Sequence, residues 1–272
     1  MSAQATLGAP VLDGRAFERI CALVLETAGI HLSPAKQSMV AGRLGKRLKA
    51  LGLGDYAAYL SVLDRDPVER QQAVDLLTTN ETYFFREPKH YDYLRETVLP
   101  AHPRGEPFRA WSAASSSGEE AFSLAMLLAD RLGGSDWHIF GSDISTQILE
   151  QAKRAQYPMA RAERIPREYL KRFCLRGIGS QDGTFMIDQP LRARVEFRQV
   201  NLNESLPSVG PFDLIMLRNV LIYFQMDKKR EVVGRVVERL RPGGCFMVGH
   251  SESLHGVCDG LETVAPSIYR KP

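Results

Sequence analysis

The pattern of apolar and polar positions divides the chain into a helical first part and an alternating strand-and-helix second part. Between residues 13 and 77, apolar residues recur at helical spacing, as Leu44 and Leu48 do. Residues 1–12 are small and polar, and we expect them to be loose. The pattern predicts a small all-helical domain, with expected bounds of 1–78.

In the second part, short apolar runs typical of buried strands alternate with amphipathic helical stretches. The predicted strands are 107–113, 137–143, 192–200, 212–217 and 245–249. The predicted helices are 119–130, 144–155 and 227–240, and a hairpin at 261–270 closes the chain. This alternation predicts an α/β, Rossmann-like domain over residues 107–272.

An insertion at about residues 172–194 interrupts that alternation. Two strand-like runs flank Asp182-Gly183, which is typical of a hairpin turn, so a small antiparallel β-subdomain is expected. Gly177, Gly179 and Gly183 give its loop more freedom than a tight turn requires.

The loop between the first strand and the first helix of the α/β part carries candidate chemistry. It has one glycine, Gly118, followed at once by Glu119 and Glu120, so it lacks the G-x-G-x-x-G pattern that receives a pyrophosphate. Acids at this point favour a ligand with an ammonium or sulfonium charge, as in S-adenosylmethionine. Alternatively, both acids only complement the dipole of a first helical turn.

The second strand ends in Asp143, where a doubly wound fold places the acid that binds ribose hydroxyls. Asp143 or Ser145 could instead cap the following helix. The two roles are compatible, so the ribose assignment stands as a prediction.

Composition narrows the class of protein further. The chain has 272 residues, a formal net charge of +3 and four cysteines without C-x-x-C spacing. We therefore expect a monomer in the cytoplasm, without a metal site, membrane insertion or nucleic-acid partner. A local charge bias remains, because no acid lies between Glu26 and Asp55.

Within that acid-free stretch, Lys36, Arg43 and Arg47 fall in one narrow helical arc. They form either a solvated face or a surface for an acidic partner. The segment that follows the helical domain, residues 79–106, carries three consecutive aromatic residues, Tyr83 to Phe85, among polar ones near its start. It is predicted to be a linker that covers the ligand site.

Three motifs occur together in this order: Asn80–Arg86 (NETYFFR), Ser112–Glu120 (SAASSSGEE) and Arg218–Phe224 (RNVLIYF). As a set they resemble the CheR family, methyltransferases that esterify glutamate side chains of bacterial chemotaxis receptors. The small departures from the family pattern, at Ser115, Ala121, Phe122 and Leu217, replace no polar ligand group.

The resemblance implies S-adenosylmethionine as cofactor and S-adenosylhomocysteine as product. It places the cofactor contacts on nine residues: Asn80, Thr82, Arg86, Glu120, Asp143, Asn201, Leu202, Arg218 and Asn219.

A carboxylate substrate is already ionised at pH 7 and needs no general base. We expect Arg86 to orient it through its planar fork, with Tyr223 lining the methyl site unless Tyr223 is only a core residue.

The resemblance also implies partners. The face of Lys36, Arg43 and Arg47 is expected to contact the cytoplasmic helical region of the receptors. In some family members a glycine-bearing β insertion captures a peptide at the receptor carboxyl terminus as an added strand. The loop with Gly177, Gly179 and Gly183 suggests that use here, unless the hairpin only covers the fold.

Three other classes compete with this assignment. An α/β-hydrolase is suggested by Gly249–Ser253 (GHSES), but a serine stands at the second glycine of G-x-S-x-G, and too few residues follow for the remaining triad. A nucleic-acid methyltransferase would place the basic helix on phosphates, yet the motif of the base amino methylases is missing after Leu217. A non-catalytic signalling adaptor would keep the fold, but the polar motifs are intact.

Overall fold

The structure is a computed structural model that describes residues 10–272, so most of the stretch predicted to be loose, residues 1–9, lies outside the described part. The chain divides into two compact units, Met1–Thr79 and Asn80–Pro272.

The first unit is entirely helical in its described part, as predicted. Its helices are α1 (Gly14–Ala28), α2 (Gln37–Ala50), α3 (Tyr56–Arg65) and α4 (Pro67–Leu77), with a 3₁₀ turn at Pro34–Lys36 before α2. Aspartates cap three of them: Asp13, Asp55 and Asp66 accept backbone N–H groups at the starts of α1, α3 and α4. Fully buried side chains such as Val40, Leu44 and Leu48 form the core of this unit.

The second unit is built around a seven-stranded sheet with the order β6-β2-β1-β7-β8-β10-β9. Its strands are β1 (Phe108–Ser112), β2 (Trp137–Asp143), β6 (Val195–Gln199), β7 (Phe212–Leu217), β8 (Leu240–Val248), β9 (Glu262–Ala265) and β10 (Ile268–Arg270). The five strands from β6 to β8 pair in parallel, and β10 pairs antiparallel with both β8 and β9. This confirms the Rossmann-like class and the closing hairpin.

Helices cover this sheet. They are α5 (Pro88–Tyr93), which continues through a π-helical turn (Leu94–Val98) into α6 (Leu99–Ala101), then α7 (Glu119–Leu132), α8 (Thr146–Arg154), α9 (Arg167–Phe173), α10 (Gln189–Arg192) and α11 (Met226–Val237). Successive residues of β7 alternate between two core clusters, with Leu214 and Met216 in one and Ile215 and Leu217 in the other. The sheet therefore buries both faces, as parallel sheets do.

A second, three-stranded antiparallel sheet lies between β2 and β6 along the chain. Its strands are β3 (Gln156–Pro158), β4 (Cys174–Arg176) and β5 (Thr184–Ile187), in the order β3-β5-β4. The predicted hairpin is present as β4 and β5. β3 lies before the predicted insertion, and its three residues are too few to show an alternating pattern.

The predicted helix 227–240 is too long at its carboxyl end. α11 ends at Val237, and Leu240 pairs with Phe212 as the first residue of β8. The Pro242-Gly243 pair, which resembles a helix stop, instead lies within β8 at a register shift between β7 and β8. Long-range pairing decides this boundary, and local sequence cannot show it.

Among the described residues, no helix has the length and apolar character needed to cross a bilayer.

Candidate cofactor and methyl-transfer site

The candidate site lies where the strand order of the main sheet reverses. β1 has β2 on one side and β7 on the other, and the chain leaves β1 and β7 at the same edge. Ligands of open α/β sheets bind in the crevice outside such carboxyl ends. The predicted cofactor residues lie at this edge, after β1, β2, β6 and β7, or in the segment that precedes α5.

The loop after β1 is tightly constrained. Ser116 and Gly118 both have positive φ, 49° and 94°. A Cβ atom on Gly118 would lie 3.1 Å from both Ala152 Cβ and Tyr157 Oη. The Tyr157 hydroxyl also donates to the carbonyl of Ser117 at 2.8 Å, so β3 of the small sheet supports this loop. Gly118 is therefore required both by its backbone conformation and by close packing.

Asp143 braces the same loop. Its Oδ2 accepts the Ser116 N–H at 2.9 Å, and its Oδ1 accepts the Ser145 N–H at 3.0 Å. Ser145, rather than Asp143, caps α8 by accepting the N–H of Ile148. The carboxylate thus remains at the strand end, where the ribose prediction requires it.

Glu120 and Arg218 form a buried ion pair across the switch point. Arg218 Nη1 donates to Glu120 Oε2 at 2.9 Å, and the Ser112 hydroxyl donates to Oε1 at 2.7 Å. Burial raises the pKa of Glu120, while Arg218 and Ser112 oppose that shift. The negative charge that the sequence places in this loop is therefore balanced in part by an arginine delivered from the end of β7.

Glu87 is the second acid on Arg218. Arg218 Nη2 donates to Glu87 Oε2 at 2.9 Å and to the carbonyl of Arg86, and Asn219 Nδ2 donates to Glu87 Oε1 at 3.2 Å. Burial alone would raise the pKa of Glu87, but Arg218 and the hydrogen bonds outweigh it and lower this pKa to about 2. Glu87 thereby fixes the Arg218-Asn219 pair that the resemblance assigns to the cofactor.

The segment from Asn80 to Arg86 is tied to the methyltransferase unit by its backbone. The Ser116 hydroxyl donates to the carbonyl of Asn80 at 3.0 Å, and Arg161 donates to the carbonyl of Thr82 at 2.6 Å. Arg161 also pairs with the buried Glu119 at 3.2 Å. These bonds place Asn80 and Thr82 beside the loop after β1.

The aromatic residues of this segment are anchors. Phe84 is fully buried and packs edge-on against Tyr157, with ring centroids 5.0 Å apart. Phe85 packs against Tyr91 of α5 at 5.0 Å. Tyr91, with other residues of α5 and α6, belongs to the core of the second unit. The predicted linker is therefore built into this unit from Asn80 onward.

Arg86 is half-buried at the edge of the site. Its Nη1 donates to the carbonyl of Glu81 at 2.9 Å, and its guanidinium lies 5.6 Å from the ring centroid of Tyr83. Across residues 10–272, no carboxylate pairs with Arg86. Tyr223 is half-buried in the 3₁₀ turn Leu221–Tyr223 after β7. Its lining role stays a prediction.

Asn201 and Leu202 follow β6, the strand beside β2. Asn201 Oδ1 accepts the N–H of Asn203 at 3.0 Å and forms a local turn, while Nδ2 donates to Glu204. Arg235 of α11 holds the carbonyl of the buried Leu202 at 2.8 Å. The turn puts both residues at the same sheet edge as Asp143.

Glu252, which the sequence analysis did not identify, ties two loops of the site together. Its Oε2 accepts the N–H groups of Asn219 and Gly249, both at 2.7 Å, and its Oε1 accepts that of Ile222 at 3.3 Å. The Gly249–Ser253 stretch therefore holds a backbone-binding carboxylate. Glu252 belongs to the same five residues, Gly249–Ser253, that resemble a nucleophile elbow, so the sequence does mark this stretch as unusual.

The three basic residues assigned to a receptor are in the helical unit, and two of them have internal partners. Arg47 Nε donates to the buried Glu69 at 2.8 Å, and Arg43 Nη1 donates to the carbonyls of Leu76 and Thr78 at 3.0 and 2.8 Å. Lys36 is exposed at the end of the 3₁₀ turn. Arg43 and Arg47 thus hold α2 against α4, a role that the solvated-face alternative did not include.

The three glycines assigned to a peptide differ in their surroundings. A Cβ on Gly177 would lie 2.0 Å from the carbonyl oxygen of Gln181, so this glycine is required by the hairpin itself. Gly179 and Gly183 have positive φ of 59° and 79° and open space around them. The loop is therefore shaped locally, whether or not a peptide binds.

Comparison with known proteins gives a consistent result. A family profile described as "CheR methyltransferase, SAM binding domain" matches residues 80–269, and "CheR methyltransferase, all-alpha domain" matches residues 15–78.

Relatives of high similarity cover nearly the whole chain. A chemotaxis protein methyltransferase of Salmonella typhimurium is 41% identical over 93% of this chain and 88% of its own length. Chemotaxis protein methyltransferase 2 of Pseudomonas aeruginosa is 40% identical over 93% and 91%, and the Escherichia coli chemotaxis protein methyltransferase is 40% identical over 88% and 84%.

Proposed function

Since this chain belongs to the CheR methyltransferase family, we propose that it methylates glutamate side chains of bacterial chemoreceptors to γ-methyl esters. The chain is an S-adenosylmethionine-dependent methyltransferase that acts in chemotaxis. The glutamate substrate and the residue roles given below are our proposal.

The main evidence for a carboxylate substrate is the environment of Arg86. This residue has a half-buried guanidinium beside the site, held by a carbonyl and an aromatic ring, with no carboxylate partner within the described residues. Arg218, by contrast, is already neutralised by Glu87 and Glu120. A planar guanidinium matches a carboxylate bidentately, so Arg86 is the residue that receives the incoming glutamate.

The reaction then needs little chemistry from the protein. The glutamate oxygen attacks the methyl carbon, the carbon–sulfur bond breaks, and the sulfonium becomes the neutral thioether of S-adenosylhomocysteine. No proton moves, because the glutamate is ionised at neutral pH. Catalysis is alignment of oxygen, carbon and sulfur, with Tyr223 lining the path opposite Arg86.

The cofactor is held by the edge described above. Asp143 binds the ribose hydroxyls while its carboxylate also holds the Ser116 N–H, and Asn201 and Leu202 flank it. Glu120 faces the positive methionine end of the cofactor beside Ser112.

Arg218 and Asn219 form the base of the cofactor site, where Glu87 and Glu252 hold them in position. Asn80 and Thr82 cover the site.

The helical unit offers the surface for the receptor. A groove of about 540 Å³ has apolar residues along it, including Met39, Ala50 and Leu76, and a rim of Arg43, Lys46 and Arg47. An amphipathic helix with glutamates beside its apolar stripe fits such a groove. Arg43 and Arg47 stabilise the helical unit and also give this surface its positive charge.

The small sheet offers the surface for a receptor tail. β4 is an edge strand, and Leu175 and Ile178 beside it are 58% and 82% exposed. A hollow of about 230 Å³ next to them includes Gln156, Gly177 and Thr184. A carboxyl-terminal peptide added along β4 would tether this cytoplasmic enzyme to its receptor.

The test uses the purified chain, S-adenosylmethionine and a cytoplasmic chemoreceptor fragment, with the modified residues mapped by mass spectrometry. Methyl groups should map to glutamates. Arg86→Ala should lower the rate about 100-fold, since alignment is the main catalytic contribution. Arg164→Ala is the matched control, because that guanidinium lies on the same Tyr83 ring at 4.6 Å. Equal rates for the two variants, or methyl groups on other residue types, would refute the proposal.

A further inference from the structure

Two histidines and a glutamate converge beside the Arg218 network. Glu87 precedes α5, His90 lies in its first turn, and His250 follows β8. One nitrogen of each imidazole and one oxygen of Glu87 all lie within 4.8 Å of one another. We propose that Glu87, His90 and His250 form a binding site for a divalent transition-metal ion of the zinc class.

The distances suit such an ion. Glu87 Oε2 lies 3.5 Å from His90 Nδ1 and 4.0 Å from His250 Nε2. Ligand atoms at about 2.0–2.1 Å from a tetrahedral zinc ion are about 3.4 Å apart. The distance from Glu87 Oε2 to His250 Nε2 exceeds that spacing by about 0.6 Å, and the three ligand atoms lie within 4.8 Å of one another, so His250, whose side chain is 46% exposed, must rotate inward to complete the set. Two imidazoles and a carboxylate, with a fourth position open, form a zinc ligand set.

The hydrogen bonds of His90 leave its other nitrogen directed at the site. The Ser267 hydroxyl donates its only proton to the carbonyl of Pro266 at 2.7 Å, so its oxygen accepts from His90 Nε2 at 3.3 Å. In the neutral ring this puts a lone pair on Nδ1. An N–H bond from the distal nitrogen to an oxygen is the usual arrangement of a metal-bound histidine.

That Nδ1 atom has no hydrogen-bond partner among the described residues, and the His90 side chain is 1% exposed. Glu87 Oε2, another lone-pair atom, lies 3.5 Å from it. A buried acceptor and a largely buried one, facing each other at this distance, are stabilised by a cation between them. The unpaired nitrogen is therefore an observation independent of the cluster itself.

Glu87 already accepts hydrogen bonds from Arg218 and Asn219, and metal binding would affect the bond from Arg218. Arg218 donates to the same Oε2 atom at 2.9 Å, as partners of ligating carboxylates commonly do. A divalent ion on that oxygen repels the guanidinium, so occupancy loosens the contact that fixes Arg218 next to Glu120. The ion is then an inhibitor of cofactor binding, a conclusion that rests on the proposed function.

The site itself is tested by calorimetric titration of the chelator-treated full chain with zinc chloride. One ion should bind per chain, and His250→Ala should weaken binding at least about tenfold. His255→Ala is the matched control, an exposed histidine five residues further along the chain. No saturable binding, or equal affinity in both variants, overturns the site.

Two further readouts separate the site from its alternatives and from the function. Cobalt(II) chloride should give a visible spectrum of nitrogen and oxygen ligation, whereas thiolate charge-transfer bands would place the ion on a cysteine and overturn the assignment. Zinc should weaken the binding of S-adenosylhomocysteine to the wild type but not to His250→Ala. If zinc binds at His250 without that effect, the inhibitory coupling is wrong while the metal site stands.

Discussion

Arg218 Nη1 lies 2.9 Å from Glu120 Oε2, with only 1% of the arginine side chain exposed. Glu120 lies in the first turn of α7, which follows β1, and Arg218 follows β7 directly, so their ion pair joins the start of α7 to the loop after β7. Burial opposes the charge on Arg218, but Glu120, Tyr91 and Glu87 raise its pKa further above the ordinary arginine value. The arginine is thus the permanent cation that keeps two carboxylates in place.

Replacing this arginine should therefore destabilise the second unit. Arg218→Met leaves Glu87 and Glu120 without their cation, and breaking a buried pair costs about 3–5 kcal/mol. Urea unfolding measures the loss. Arg198→Met, which removes an exposed partner of Glu196, should cost less than about 1 kcal/mol. Equal losses in the two variants would show that the buried pair has no special role.

Glu252 should act on cofactor affinity through the loops it holds. Glu252→Gln presents an N–H₂ group to at least one of the three N–H donors at Asn219, Gly249 and Ile222. An unsatisfied buried donor costs about 1–3 kcal/mol. S-adenosylhomocysteine binding should weaken in parallel, measured by calorimetry on the folded variant. Glu262→Gln, at an exposed position on β9, should leave both quantities unchanged. Normal cofactor affinity in a destabilised Glu252→Gln would limit Glu252 to a purely structural role.

Glu69 should make the stability of the helical unit depend on pH. The hydrogen bond from Arg47 lowers the pKa of Glu69, and burial opposes it. A carboxyl whose folded pKa is depressed contributes stability above its unfolded pKa of about 4.3 and loses it as pH falls toward the lower folded value. The gap in unfolding free energy between the wild type and Glu69→Gln should therefore be largest at neutral pH and shrink below about pH 4.3. A constant gap from pH 7 to pH 3 would contradict this assignment.

The contacts of Arg43 and Arg47 change how the receptor surface must be tested. Reversing either charge would break bonds that hold α2 and α4 together, so the exposed Lys46 on the same groove is the better target. Lys46→Glu should slow receptor methylation about tenfold at low salt and less at high salt, because rim charges mainly steer encounter. Lys171→Glu, exposed on α9, is the control. Equal slowing by both variants would exclude this groove as the receptor surface.

Much of this architecture follows from local sequence. Apolar runs such as Phe212–Leu217 show which strands are buried on both faces, and Asp143 is recognisable because it ends a strand. The loop after β1 can be predicted from the sequence because its small residues and Gly118 suit the local backbone conformation. These features depend on neighbours within a few positions.

The remaining features depend on partners far along the chain. Glu252 meets Asn219 across 33 positions, and Glu87 meets Arg218 across 131. No spacing rule links such residues, so the sequence does not identify Glu87 and Glu252, nor the convergence of His90 and His250 on Glu87. For the same reason the sequence predicts a partner surface at Arg47 but not its bond to Glu69, 22 residues away.

The most direct test of the central claim uses S-adenosylmethionine with a radiolabelled methyl group and a cytoplasmic chemoreceptor fragment. If the product is a glutamate γ-methyl ester, the label on the fragment is released as volatile methanol by mild base, and Arg86→Ala transfers about 100-fold less of it. A matched fragment with its accepting glutamates replaced by alanine should take up no label. Label that resists base, or that appears equally on the alanine fragment, would contradict carboxylate methylation.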